Sequence, residues 1–169
     1  MDSGRLSARR KQPGHDRTFE ASESNFIEAA KRVLDLYRFT VIDKPRDLRS
    51  IFSSDDTVRL GLAPEAKIES RLTGRKFFVE VKKQGPRGNA EERACKHHTV
   101  QFYRTMFEVY GYDYHPYVSI LCEDLAVNPR YTRKMPFLYE PQQYLLWVEY
   151  DLDILSEYLN ARAQEWLEA

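Results

Sequence analysis

The run Arg75-Lys76-Phe77-Phe78-Val79-Glu80-Val81-Lys82-Lys83-Gln84 constrains this chain more than any other stretch. Its aromatic and β-branched content suits a strand, whose side chains alternate between two faces. Phe77, Val79 and Val81 then share a core face, while Phe78, Glu80, Lys82 and Gln84 share the other. The second face sets an acid, a base and an amide in a row on a segment otherwise built for burial, where an unassigned charge is costly. Such a strand is either a salt-bridged structural element or half of a metal-dependent site.

The residues upstream discriminate between these readings. Ala66 to Leu72 reads as a second strand, Thr73-Gly74 as the turn, and the pair as a hairpin. Pro64 marks where pairing begins, because proline cannot donate a ladder hydrogen bond. Counting back from Gly74 to Glu65 and forward to Glu80 and Lys82 brings all three side chains to the same end of the hairpin.

The length of 169 residues allows one compact α/β domain with a sizeable core. Residues 1–17 are expected to form a disordered basic arm, with Arg5, Arg9, Arg10, Lys11 and Arg17 and almost nothing to bury. Such an arm is either a solvated tail or a phosphate contact. Residues 18–169 are expected to form the single domain. Charge is balanced, 26 basic against 26 acidic residues, so the net field does not favour a nucleic-acid partner and only local clusters can. Cys95 and Cys122 have neither pairing nor metal-ligand spacing and read as small buried residues of a reducing compartment. No apolar run is long enough to span a membrane and the N-terminus lacks a signal-peptide core, so a cytoplasmic location is expected.

The remaining elements follow from periodicity. Phe26, Ala29, Ala30, Val33, Leu34 and Tyr37 predict an amphipathic helix over about 24–37, capped by Ser22 or Ser24. Glu28 sits beside its apolar stripe, either solvated or turned inward. Residues 39–42 predict a short strand. Asn89 with Glu92 resembles a capping box opening a long helix to about Tyr110, with Ala94, Cys95, His98, Phe102, Met106 and Val109 on one face. Pro116 to Cys122 reads as a central strand, 128–141 as an irregular basic and aromatic segment, and 143–148 as another strand. Asp151 caps a last helix whose stripe is Leu152, Leu155, Tyr158, Leu159, Trp166 and Leu167. This order predicts an α/β fold, a mixed β-sheet flanked by helices.

Two carboxylates and a lysine suffice for metal-assisted phosphodiester hydrolysis. Mg²⁺ takes hard oxygen ligands, usually one or two protein carboxylates with substrate phosphate. Glu65 and Glu80 would hold it, with the Val81 main-chain carbonyl as a natural further ligand. Lys82 would orient the attacking water or stabilise the transition state.

At Pro64-Glu65, fourteen residues, then Glu80-Val81-Lys82, the chain resembles the PD-(D/E)XK nuclease superfamily, which includes the type II restriction endonucleases. Glu65 stands where that family usually has Asp; Asp55 or Asp56 at a longer spacing is the alternative. The hairpin, an N-terminal helix with an inward-looking glutamate at Glu28, and the helix after a glycine-containing loop extend the likeness over about 25–125. The resemblance implies a restriction-endonuclease-like fold and a Mg²⁺-dependent DNA endonuclease, with Mn²⁺ as a substitute. Glu28 and Gln84 are secondary site residues. Arg87 and Asn89 of the loop after Gln84, with Arg130, Arg133 and Lys134, are the expected nucleic-acid contacts. Cutting both strands implies a homodimer. A non-catalytic DNA-binding or protein-interaction module of the same fold, or a nuclease for branched DNA or RNA, remain alternatives.

Overall fold

The computed structural model describes residues 23–49 and 63–168. The candidate arm, Asp55 and Asp56 lie outside the described residues. The order is α1 (Glu23–Val33), β1 (Phe39–Asp43), β2 (Ala66–Ser70), β3 (Lys76–Gln84), α2 (Ala90–Ala94), a 3₁₀ turn (Cys95–His98), α3 (Val100–Tyr110), β4 (Tyr117–Glu123), α4 (Asp124–Val127), α5 (Pro129–Thr132), α6 (Met135–Leu138), β5 (Tyr144–Trp147) and α7 (Leu152–Arg162), which runs into a π-helical turn (Ala163–Leu167). One five-stranded sheet has the order β1-β2-β3-β4-β5. Its first three strands are antiparallel, and β3, β4 and β5 run parallel. The parallel pairs need crossovers, supplied by the helical segments between β3 and β4 and between β4 and β5.

Strand β3 alternates as its sequence requires. Phe77 and Val79 enter a core with Phe26, Ile68, Val118, Ile120, Trp147 and Leu155, under α1 and α7. Phe78 turns to the opposite face, among Leu48, Phe102, Met106 and Tyr117 beneath α3. A third cluster, around Leu121, Leu125, Tyr131, Met135 and Tyr139, covers the β4 side of that second face. Strand β4, paired on both sides, is buried from Tyr117 to Cys122. Among the described residues no helix is long and apolar enough to cross a membrane.

Three expected elements are corrected. Helix α1 stops at Val33 instead of continuing to Tyr37, which is 94% exposed. The Asp35 carboxylate accepts the Tyr37 N–H at 3.0 Å and the Asp35 carbonyl accepts from Arg38 and Phe39, so the side chain turns the backbone out of the helix. The helix expected over 89–110 is broken at Thr99, whose backbone is extended and whose hydroxyl accepts the Phe102 N–H as a fresh N-cap. Val109 therefore leaves the apolar stripe and is half exposed. The segment 128–141 is three short helices rather than irregular: Asn128 caps α5 by accepting from Arg130 N at 3.0 Å, and Tyr131, Met135 and Tyr139 are buried. Cys95, expected inside, is only partly buried; Cys122 is buried.

Phe77 is fully buried and meets the Trp166 ring edge-on at 5.5 Å. Phe77→Ala should lower the unfolding free energy by about 3–5 kcal/mol, measured by denaturant titration. A loss below about 1 kcal/mol would mean that this face of β3 is not the core.

Candidate active site

The hairpin turn is fixed locally. Ser70 N donates to Arg75 O at 2.9 Å, the Ser70 hydroxyl oxygen accepts from Leu72 and Thr73 N–H, and Gly74 takes φ of 75°, a left-handed value suited to glycine. The turn sets the register Ala66 against Val79. Glu65 lies one residue beyond, where its N–H donates to Val79 O at 2.8 Å and its Oε1 accepts from Val81 N at 3.3 Å. Glu65 is thereby held beside the middle of β3. Glu65 and Glu80 are 6% and 5% exposed.

The parallel pairing of β3 with β4 completes the surroundings of Glu80. Tyr117 stands opposite Phe78 and Ser119 opposite Glu80, so all four side chains share one sheet face. The Tyr117 hydroxyl donates to Glu80 Oε1 at 2.8 Å. Lys82 Nζ lies 3.5 Å from the other oxygen, Oε2, with its side chain partly exposed. The buried His97 ring stacks on the Tyr117 ring, with centroids 4.2 Å apart and planes 10° from parallel. Its Nδ1–H donates to Ala94 O at 3.0 Å, and its Nε2 lies 3.5 Å from Glu80 Oε1. Burial lowers the His97 pKa against the opposing pull of Glu80. Burial first, then Glu80 and Glu65, pushes the Tyr117 hydroxyl well above its ordinary value, so it remains a donor.

More buried polar groups brace this pair from behind. His115 Nε2 donates to His97 O at 2.7 Å, and Gln143 Nε2 donates to both His115 O and Tyr117 O at 2.8 Å. His98, expected on the helix stripe, instead sits in the 3₁₀ turn, hydrogen-bonded to Ser119 Oγ at 3.3 Å.

The other expected site residues fall into separate places. Glu28 is exposed on α1, correcting the inward-looking expectation: the buried face of that helix is taken by Phe26, Ala29 and Ala30. Gln84 ends β3, where its Oε1 accepts the Ala90 N–H at 2.8 Å. It thus caps α2 in place of Asn89, whose side chain makes no cap and instead accepts from Arg93 at 3.1 Å. Gly88, at φ of 125°, lets the loop pass so close that a Cβ there would stand 2.4 Å from Gln84 Oε1. Arg87 and Asn89 are exposed on this loop, and Arg130 and Arg133 on α5 and just after it. Lys134 is bound to Glu91 at 2.9 Å and Glu92 at 3.0 Å, which raises its pKa; Glu91 is fully buried. The lysine ties the loop helix to the 128–141 segment.

Glu65, Glu80, Val81 and Lys82 are thus brought together, and Glu28 is not among them. Among the described residues no group of three or more His, Cys, Asp or Glu side chains converges as a metal centre. Two buried carboxylates flanking a strand backbone nevertheless match the sparse oxygen set that suits Mg²⁺. Tyr117 was missed because only the parallel β3–β4 register brings it to Glu80, and His97 because it arrives from the 3₁₀ turn between those strands, stacked on the Tyr117 ring. The one available signal was a tyrosine and histidines within predicted buried segments, each of which needs a polar partner.

A mixed five-stranded sheet flanked by helices is the restriction-endonuclease-like fold. A family model described as type II restriction enzyme MunI matches residues 1–168, and the chain belongs to that family of DNA-cleaving hydrolases. The crystal structure of MunI restriction endonuclease in complex with cognate DNA shares the fold at a TM-score of 0.62 and 20% identity, over 84% of this chain and 94% of that one. No curated protein matches the chain.

Burial holds His115 down to about 4 and His98 down to about 2, against about 6.5 in an unfolded chain. As pH falls below about 6.5, the unfolded chain takes up protons that these rings in the fold refuse. Stability should therefore be flat above pH 7 and fall between pH 6.5 and 5, by on the order of 2 kcal/mol per histidine. Thermal melts across that range should show a shallower fall for His115→Gln; an unchanged profile would mean that His115 is not held neutral.

Proposed function

We propose that DNA cleavage by this chain is carried by Glu65, Glu80 and Lys82 acting with Mg²⁺. The reading rests on one observation: the hairpin sets two buried carboxylates against the middle of β3, with Lys82 Nζ 3.5 Å from Glu80 Oε2. Glu65 and Glu80 would hold the ion, with the Val81 carbonyl as a further oxygen. Bound there, Mg²⁺ supplies phosphate charge neutralisation and a water of lowered pKa.

The chain's own groups do the rest. Lys82, exposed enough to reach solvent and tethered to Glu80, orients the attacking water or carries positive charge to the developing phosphorane oxygens. Gln84 acts at one remove, fixing the loop 85–89 and the start of α2. Arg87, Arg130 and Arg133 contact the DNA backbone, together with Asn89. Lys134 positions that surface through its bonds to Glu91 and Glu92. Two strands require two such sites, supplied economically by a homodimer.

Supercoiled plasmid with Mg²⁺ tests this reading. Wild type should linearise substrate that carries its recognition sequence, and chelator should stop the reaction. Glu65→Ala, Glu80→Ala and Lys82→Ala should each reduce the rate by at least about 100-fold while melting as folded proteins. Full activity in Glu65→Ala would move the first acid elsewhere. Full activity in both Glu80→Ala and Lys82→Ala would remove the site from β3.

A further inference from the structure

Glu80 has an asymmetric environment. Oε1 faces into the protein, receiving the Tyr117 hydroxyl at 2.8 Å, whereas Oε2 lies on the Lys82 side. A glutamate has three rotatable bonds, and fixing one of its oxygens removes most of the freedom of the other. Tyr117 is itself immobile. Its ring is fully buried, His97 lies flat on one face, and Phe102 meets it edge-on at 5.6 Å. Its carbonyl accepts from Gln143. His97 is secured in turn at Nδ1 by Ala94 and at its carbonyl by His115.

We propose that Tyr117 is a positioning residue for Glu80: its hydroxyl commits Oε1 inward, His97 holds the tyrosine ring in place, and Oε2 is thereby presented toward Lys82 in the conformation that receives the divalent cation. The inference rests on the reading of Glu80 as a metal ligand. Neither Tyr117 nor His97 needs to touch substrate or metal. Their contribution is preorganisation, in that a carboxylate already held in one conformation loses less freedom on binding an ion. The arrangement also explains why a tyrosine hydroxyl lies buried deep in the sheet, where an unbonded one would be destabilising.

The test is Mn²⁺ binding to the full chain without DNA, followed by titration calorimetry, with thermal melts to confirm folding. Glu80→Gln should abolish the Glu65–Glu80 binding event. Tyr117→Phe, which keeps the ring and its stacking but loses the oxygen, should weaken Mn²⁺ binding by about 10-fold. His97→Gln, which removes both the stacked ring and the Nε2 that lies 3.5 Å from Glu80 Oε1 while leaving the Tyr117 hydroxyl, should weaken it in the same direction and serves as the test if Tyr117→Phe does not fold. Mn²⁺ affinity that is unchanged or tighter in Tyr117→Phe, while Glu80→Gln abolishes binding, overturns the positioning role alone. The same holds for His97→Gln where it is the variant that folds. Affinity untouched by Glu80→Gln overturns the metal-ligand reading and the positioning role with it.

Discussion

Two carboxylates are buried at the same end of one hairpin, and the surrounding strands are paired so as to meet them. Taking a carboxylate out of water costs several kcal/mol unless hydrogen bonds or opposite charge compensate. Glu65 meets part of that cost from the backbone, through Val81 N–H. Glu80 meets it from side chains, through the Tyr117 hydroxyl and Lys82. The antiparallel β2–β3 register brings the Val81 N–H to Glu65 and the parallel β3–β4 register brings the Tyr117 hydroxyl to Glu80, whereas Lys82 shares the strand and face of Glu80 itself. A one-residue slip in either would turn the acids to the wrong face and leave them buried without partners. The requirement for satisfied charge and the requirement for a packed sheet therefore select the same register.

The site is also asymmetric in exposure. Behind Glu80 lie β4, His97, His115 and Gln143, all buried and mutually hydrogen-bonded. In front lie Lys82, the loop 85–89 and the arginines of the 130–133 segment, which are at least partly exposed. A buried, hydrogen-bonded back wall suits groups that must hold an ion in fixed geometry, and an open front suits groups that must meet a large polyanion. Gln84 joins the two halves, because it ends the central strand and also caps the helix that follows the loop. Glu91 and Lys134 make a second joint, across to the helices after β4.

Much of this was legible in the chain itself. The alternation of Phe77, Phe78, Val79, Glu80, Val81 and Lys82 follows from strand periodicity, and the Pro64 and Gly74 punctuation was enough to place the hairpin and bring Glu65 to Glu80. Helix α7 and its Asp151 cap, which accepts from Asp153 N at 2.8 Å, were equally readable. The failures came where a side chain competes with helical periodicity. Asp35 and Thr99 each divert the backbone by capturing a nearby N–H, and the apolar pattern running through them gave no warning. Glu28 was placed inward by family likeness, although its neighbours Phe26, Ala29 and Ala30 already fill the buried face. Tyr117 could not be assigned because parallel pairing is a long-range choice that no local pattern encodes, nor His97 because it arrives from the 3₁₀ turn between those strands.

The central claim is that the acids of this hairpin form the cation site of a nuclease. It is tested most directly by anomalous scattering from crystals of the full chain soaked in Mn²⁺. The account predicts an anomalous peak between the Glu65 and Glu80 carboxylates, next to the Val81 carbonyl, with Tyr117 still bonded to Glu80 Oε1. A peak ligated by Asp55 or Asp56 in place of Glu65, or one distant from Glu80 altogether, would contradict it.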